Sequence, residues 1–203
     1  MDADDYDDAE RDEAFLREYE RTYVDHEAPE DPQPLQAPHP VNWNLLTAAE
    51  ANQEWLDLDL WVSWLRTAFG LSPSIVPPYW HRHDELIWEL SALHTHFLAC
   101  YEEDAAPSAP IGWMREFAEA RHRLRDWVAQ CGTRLDRDRP TRQTTWPGEH
   151  AQPQEPEVAI VDRVGDFAAF VRADLTRRQA LEDAIRTSLR PAVHDTGTGA
   201  RVP

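Results

Sequence analysis

Residues 47–70 read TAAEANQEWLDLDLWVSWLRTAFG, and this stretch decides the fold class. Thr47 and Glu50 form a capping-box pattern, in which each side chain bonds to the backbone amide of the other residue. Apolar side chains then recur every three or four residues, and Trp61 and Trp64 widen the stripe made by Trp55, Leu58, Val62, Leu65 and Phe69. Gly70 supplies the left-handed conformation that commonly ends a helix. The pattern predicts an amphipathic α-helix from Thr47 to Phe69.

Two more helices of the same kind are predicted downstream. The second follows His83, and its first two residues are acidic, the charge favoured at an amide-rich helix end. Its core face comprises Leu86, Leu90, Leu93, Phe97 and Cys100 or Tyr101. The third begins near Pro110 and ends before Gly132, with a face made of Trp113, Phe117, Ala120, Leu124, Trp127 and Cys131. Three helices joined by short loops predict an all-α, Trp-rich three-helix bundle over residues 41–135.

Tryptophan is concentrated in the predicted bundle, since eight of the nine lie between Trp43 and Trp127. Each indole buries a large apolar area and needs one partner for its N–H group, so most of them are predicted to form the core. Trp80 differs because it lies in the loop between the first two helices. It either plugs the gap between helices or stays exposed as an anchor for a partner protein.

The N-terminal segment is strongly acidic. Residues 2–31 hold 14 Asp and Glu against 3 Arg, a balance of −11 within the total of −18. Phe15, Tyr19 and Tyr23 recur at helical spacing, and they are the candidate partner-binding residues of this segment. Residues 1–40 are therefore predicted to be an acidic disordered tail that carries a short aromatic helix and a proline-rich linker.

The C-terminal third is predicted to lie outside the bundle. Residues 136–157 combine proline, charge and glutamine and are predicted to be a linker. Residues 158–190 are predicted to form a separate amphipathic helix, and residues 191–203 a disordered tail. Asp174 and Arg178 interrupt the apolar stripe of this helix at a spacing that allows them to pair. Two half-length apolar patches are therefore favoured over a long coiled coil.

Composition limits the classes of function. The negative net charge disfavours non-specific binding to nucleic acid or anionic lipid. No signal peptide or run of ~20 apolar residues is present, which predicts a soluble cytoplasmic protein without a membrane partner. Cys100 and Cys131 are too few for a disulfide scaffold and are predicted to be free thiols.

The histidines of residues 81–96 are the candidates for metal binding. His81, His83, His96 and Cys100 are weak candidate ligands, and they leave a metal-dependent enzyme open as one alternative. His94 and His96 point about 200° apart on a helix, and no recognised zinc spacing occurs. Structural roles are therefore favoured, and neither a catalytic residue, a metal nor a cofactor is predicted.

An arginine-rich segment gives a second alternative. Eight Arg oppose five acidic residues in residues 111–142, a local balance of +3, and the nucleic-acid candidates among them are Arg121, Arg125, Arg134 and Arg137. A solvated helix face is the first interpretation of this segment, and docking of the acidic tail is the second. The third is a nucleic-acid-binding accessory protein.

Three short motifs and two single tryptophans carry a resemblance to a known family. They are residues 61–65 (WVSWL), residues 78–83 (PYWHRH), residues 89–93 (ELSAL), Trp113 and Trp127. From Trp43 to Gly132 the chain resembles an uncharacterised domain-of-unknown-function family of small Trp-rich proteins from phages, plasmids and integrative elements of GC-rich Gram-positive bacteria. The resemblance implies a mobile-element context and no catalytic residues. The compact core, the two predicted linkers and the short amphipathic segments without a catalytic motif lead us to expect a non-enzymatic accessory protein, whose Trp-rich domain presents acidic and aromatic tails to another, unidentified protein.

Overall fold

The computed structural model describes residues 38–141, 144–150 and 156–188. These residues contain α1 (Ala48–Ala68), a 3-10 turn (Trp80–Arg82), α2 (Asp84–Cys100), α3 (Ala109–Cys131), β1 (Arg137–Asp138), β2 (Val158–Ala159) and α4 (Arg163–Ser188). The predicted all-α class is confirmed, because helices dominate. The acidic tail with Phe15, Tyr19 and Tyr23 lies outside the described residues, and so does the tail after residue 190. None of the described helices is both long enough and apolar enough to cross a membrane.

The helix ends follow the local sequence. The Thr47 hydroxyl accepts a hydrogen bond from the Glu50 amide at 3.2 Å, and the Glu50 carboxylate accepts one from the Thr47 amide at 2.8 Å. This is the predicted capping box. Gly70 has a φ of 58°, and Gly132, which caps α3, has a φ of 75°. Both helices therefore end at the glycines that the sequence indicated.

Helices α2 and α3 pack against each other along their lengths and form the centre of the core with α1. The indole N–H of Trp113 donates to the Leu93 carbonyl oxygen at 3.2 Å, so this fully buried ring also satisfies its polar atom. The largest fully buried apolar side chains of these helices are Leu58, Leu65, Leu86, Leu90, Trp113 and Leu124. Both cysteines are free thiols and are buried.

Helix α4 is not the separate element that the sequence predicted, because it packs against α1. Phe167 and Val171 belong to the same core as Trp55, which places the first half of the helix against the body of the protein. Asp174 accepts a hydrogen bond from the Trp55 indole at 3.0 Å and pairs with Arg178 at 2.7 Å, as its spacing predicted. The polar break in the stripe therefore helps to hold the helix in place.

Part of the segment predicted to be a linker is ordered. Strands β1 and β2 pair antiparallel, with Arg137 opposite Ala159 and Asp138 opposite Val158. Helix α4 consequently begins at Arg163, five residues later than the predicted start. Asp138 is fully buried, and one of its carboxylate oxygens bonds to His83, a partner 55 residues away in sequence.

Candidate functional site

An aromatic cluster reaches the protein surface where α1 and α2 end. It comprises Trp64, Phe69, Phe97 and Tyr101, which we call the aromatic surface. Trp64, Phe69 and Tyr101 are between 37% and 48% exposed. Phe97 lies half-buried between them, with its ring centroid 5.1 Å from that of Trp64 and 4.5 Å from that of Tyr101. The exposed rings therefore form one contiguous patch.

Two buried rings of α3 support the aromatic surface from beneath. Trp113 and Phe117 stack with their centroids 5.0 Å apart and their planes 15° apart. Phe97 contacts Trp113 at 5.2 Å, and Phe69 contacts Phe117 at 4.7 Å. Because the supporting rings are buried, the exposed rings rest on a packed layer rather than on a loose loop. The surface is preformed.

Negative charge borders the aromatic surface. Glu102, Glu103 and Asp104 follow Tyr101 directly, and all three side chains are exposed. Carboxylates beside apolar rings favour a complementary surface with an apolar centre and a basic edge. Acidic side chains therefore adjoin the patch at Tyr101, while Arg121 lies over the Phe117 ring of the supporting layer.

The histidine turn, residues 79–83, lies in the interior. Trp80 is only 1% exposed and packs against Trp55 and Phe167, with ring centroids 6.3 Å away in both cases. Of the two predictions for this residue, the core plug is confirmed and the exposed anchor is wrong.

His81 ties the histidine turn to α4. Its Nε2 atom lies 2.8 Å from Oδ2 of Asp166, and Arg82 also pairs with that carboxylate. Burial lowers the pKa of His81 to about 4, in spite of the Asp166 hydrogen bond, which raises it. His81 is therefore neutral at pH 7, and Nε2 is the nitrogen that donates.

His83 lies in a second buried network, which Arg82 links to the first because its Nη1 atom is 4.0 Å from Oδ2 of Asp138. Its Nε2 atom is 2.8 Å from Oδ1 of Asp138, and its Nδ1 atom is 3.1 Å from the Thr141 hydroxyl. That hydroxyl donates to Glu85 at 2.5 Å. Burial lowers the pKa of His83, but hydrogen bonds to Asp138 and Cys131 outweigh it and raise the pKa to about 9. Neither Asp138 nor Thr141 was predicted, because both lie in the presumed linker, which shows no apolar periodicity.

The structure regroups the predicted metal candidates. Within the described ranges, a single set of three His, Cys, Asp or Glu residues brings its donor atoms within metal-binding distance: His83, Glu85 and Cys131. His83 is the only member of the predicted set in it. His81 bonds to Asp166 instead, and His96 and Cys100 lie at the far end of α2.

The arginine candidates do not form one surface. Arg137 pairs with Asp136 at 3.3 Å and with Glu157 at 3.2 Å, and Arg121 lies over the Phe117 ring at 5.9 Å. Arg125 and Arg134 line a groove of about 620 Å³ together with Arg139, Glu157 and the end of α3. Two of the four predicted residues are therefore brought together, with one further arginine.

A second groove of about 620 Å³ lies between α4, α2 and the start of α1. Its exposed apolar members are Leu45, Trp88, Leu181 and Ile185, so the second half of α4 keeps an uncovered apolar face. No family model matches the chain, and neither a curated protein nor a solved structure matches it.

Proposed function

We propose that this protein is a non-enzymatic interaction module, an accessory protein of a mobile genetic element, that binds a partner protein in the cytoplasm through the aromatic surface. The observation that carries the proposal is the contiguous patch of Trp64, Phe69 and Tyr101 over the buried Trp113–Phe117 stack. The mobile-element context rests on the sequence resemblance alone.

Exposed aromatic rings of this kind have a cost when no partner covers them. Removing apolar surface from water stabilises a protein by roughly 25 cal/mol per Å². An aromatic ring that stays exposed does not gain this stabilisation. Trp and Tyr are the residues most enriched among those that dominate binding energy, because they bring large area with few rotatable bonds. A rigid backing reduces the ordering cost of binding further. These features support an interface rather than an incomplete core.

The acidic border specifies the partner. Glu102, Glu103 and Asp104 adjoin the patch, and the whole chain carries a net charge of −18. A partner with apolar side chains ringed by Lys or Arg satisfies both parts, and its association rate should fall as salt rises. Another surface of equal acidity would be repelled.

The test is co-purification of partners with the full-length chain from its host, followed by binding measurements with each recovered protein. We expect a Trp64→Ser/Tyr101→Ser double variant to weaken binding at least tenfold, since a single interface hot spot is worth about 2 kcal/mol or more. Trp146→Ser is the matched control, because Trp146 is a more exposed tryptophan, at 71%, outside the patch. Its affinity should equal that of the wild type.

Crosslinking tests independently whether the partner contacts the aromatic surface. A photoreactive residue at position 101 should capture the partner, and one at position 146 should not. Partners that bind the double variant as tightly as the wild type would contradict the proposal, as would an absence of any recovered partner. Circular dichroism of the double variant would establish that its fold is intact.

A second candidate function, contact with nucleic acid, is favoured by one observation. Arg125, Arg134 and Arg139 line the same groove at the end of α3, where their guanidinium groups can meet phosphate oxygens. Single-stranded oligonucleotide binding at low salt should be lost in an Arg125→Gln/Arg134→Gln variant. Arg123→Gln is the control, because Arg123 pairs with Glu89 outside this groove. Absence of salt-sensitive binding to the wild type would eliminate this candidate.

A further inference from the structure

We propose that His83, Glu85 and Cys131 form a binding site for one divalent transition-metal ion, with Zn²⁺ as the best match. The proposal does not depend on the proposed function. The three residues come from the start of α2 and the end of α3, which the fold brings together next to the Asp138–Thr141 segment.

The geometry of the donor atoms fits a small ion. One nitrogen, one carboxylate oxygen and one sulfur atom all lie within 4.8 Å of one another. In a tetrahedral zinc site, bonds of about 2.0–2.3 Å place neighbouring donor atoms roughly 3.3–3.8 Å apart. The donor atoms therefore need to approach one another by at most about 1.5 Å to close the site, which side-chain rotation can supply. A mixed nitrogen, oxygen and sulfur set suits Zn²⁺ better than Mg²⁺ or Ca²⁺, which bind oxygen.

Asp138 orients the histidine in the manner of known zinc sites. Its Oδ1 atom lies 2.8 Å from Nε2 of His83, and both side chains are buried. A zinc-binding histidine commonly donates its second ring N–H to a carboxylate, which fixes the ring and makes the ligating nitrogen more basic. That leaves Nδ1 of His83 to face Glu85 and the proposed ion. Asp138 is thus a positioning residue and not a ligand.

The Thr141 hydroxyl marks the place of the ion. It lies 3.1 Å from Nδ1 of His83 and 2.5 Å from Oε1 of Glu85, so it bridges two of the three proposed ligands. Thr141 is exposed and Glu85 is half-buried, which gives the ion a path from solvent. When the ion binds, the Cys131 thiol and Nδ1 of His83 release their protons to solvent, and the Thr141 hydroxyl moves away from the two ligands that it bridges.

Metal binding would join two segments that are distant in sequence. The ion would bridge the start of α2 and the last residue of α3. Because such a site is absent from the unfolded chain, its binding free energy adds to the stability of the fold. We therefore assign the ion a structural role.

The experiment is a Co²⁺ titration of the untagged full-length protein after chelator treatment, under reducing and anaerobic conditions. We expect one equivalent to bind, with a sulfur-to-cobalt charge-transfer band, and one equivalent of Zn²⁺ to displace it. The chain has only two cysteines, so the source of the band can be identified. Cys131→Ser should abolish the band, and Cys100→Ser, the matched buried control, should retain it.

Further variants keep the test decisive if Cys131→Ser fails to fold. Glu85→Gln, at a half-buried position, should weaken Co²⁺ binding at least tenfold, and Asp138→Asn should weaken it about 10- to 100-fold. Thr141→Ala should still bind, since its hydroxyl only bridges the ligands. Cobalt binding without a charge-transfer band, a band that survives Cys131→Ser or unchanged affinity in Glu85→Gln would each overturn the site.

Discussion

Replacing Asp174 by asparagine is expected to destabilise the protein by about 3 kcal/mol, because it leaves the buried Arg178 guanidinium without its carboxylate partner. Asp174 is 7% exposed, and its carboxylate pairs with Arg178, whose side chain is 11% exposed, at 2.7 Å. Arg178 also donates to the Leu46 carbonyl oxygen at 2.9 Å. The substitution keeps the shape of the side chain but leaves the guanidinium buried without an opposite charge.

The magnitude follows from the burial of the partners. Breaking a fully buried ion pair costs about 3–5 kcal/mol, and the slight exposure of Arg178 points to the lower end of that range. Arg177 also pairs with Asp174, but it is largely exposed and contributes well under ~1 kcal/mol. The hydrogen bond from the Trp55 indole can persist, since the asparagine oxygen still accepts it.

Urea denaturation at pH 7, followed by circular dichroism, measures this loss of stability. The matched control is Asp183→Asn in the same helix, since Asp183 and Arg186 pair at 2.8 Å but are both more than half exposed. Its cost should be about 0.5 kcal/mol or less. An Asp174→Leu/Arg178→Met double variant should recover much of the loss, because it removes the unpaired charge.

The pH dependence gives an independent test. Burial raises the pKa of Asp174, but hydrogen bonds from Arg178 and Trp55 together lower it by more. The pKa of Asp174 therefore lies below the ordinary value. The carboxylate thus contributes stability above the unfolded pKa of about 3.9, and this contribution is lost as pH falls through the folded pKa. The gap between the wild type and Asp174→Asn should narrow in acid. A gap that stays constant down to pH 3, or an effect no larger than that of Asp183→Asn, would refute this account of the α1–α4 contact.

Three further outcomes are expected. Thr47→Ala should cost about 1 kcal/mol in urea denaturation through loss of the capping box, and Thr47→Ser should restore most of it. Trp113→Ala should cost about 3–5 kcal/mol, because the ring is fully buried; a loss below ~1 kcal/mol would contradict its place in the core. Burial lowers the pKa of His94 to about 4, below its unfolded value of about 6.5, so stability should fall as pH drops from 6.5 towards 4. The melting temperature of His94→Phe should therefore fall less than that of the wild type as the pH drops from 6.5 to 4. An equal fall in the two proteins would show that His94 does not cause the loss of stability.

The sequence predicts features that depend on neighbouring residues. The cap at Thr47 and the helix ends at Gly70 and Gly132 follow from local backbone chemistry, and each lies where it was predicted. Hydrophobic periodicity also identifies the core faces. It does not show how much of each face is covered: Trp64 and Trp127 belong to predicted stripes, yet both are partly exposed in the fold.

Long-range polar partners could not be predicted. Asp138 and Asp166 meet the histidine turn from 55 and 85 residues away, and no spacing rule relates a carboxylate in a proline-rich segment to a buried histidine. The docking of α4 was missed for a related reason. Asp174 interrupts the apolar stripe, and an interrupted stripe suggests a free helix until its partner, the Trp55 indole, is known.

The two sites lie at opposite ends of α2. Glu85 is in its first turn and Tyr101 follows its last residue, so at a rise of 1.5 Å per residue their backbones are about 24 Å apart. Effects of substitutions at such distances are normally additive. Loss of partner binding in Trp64→Ser/Tyr101→Ser can therefore be attributed to the aromatic surface, and loss of the cobalt band in Cys131→Ser to the metal site. Because neither change reaches the other site through direct contact, one proposal can fail while the other stands.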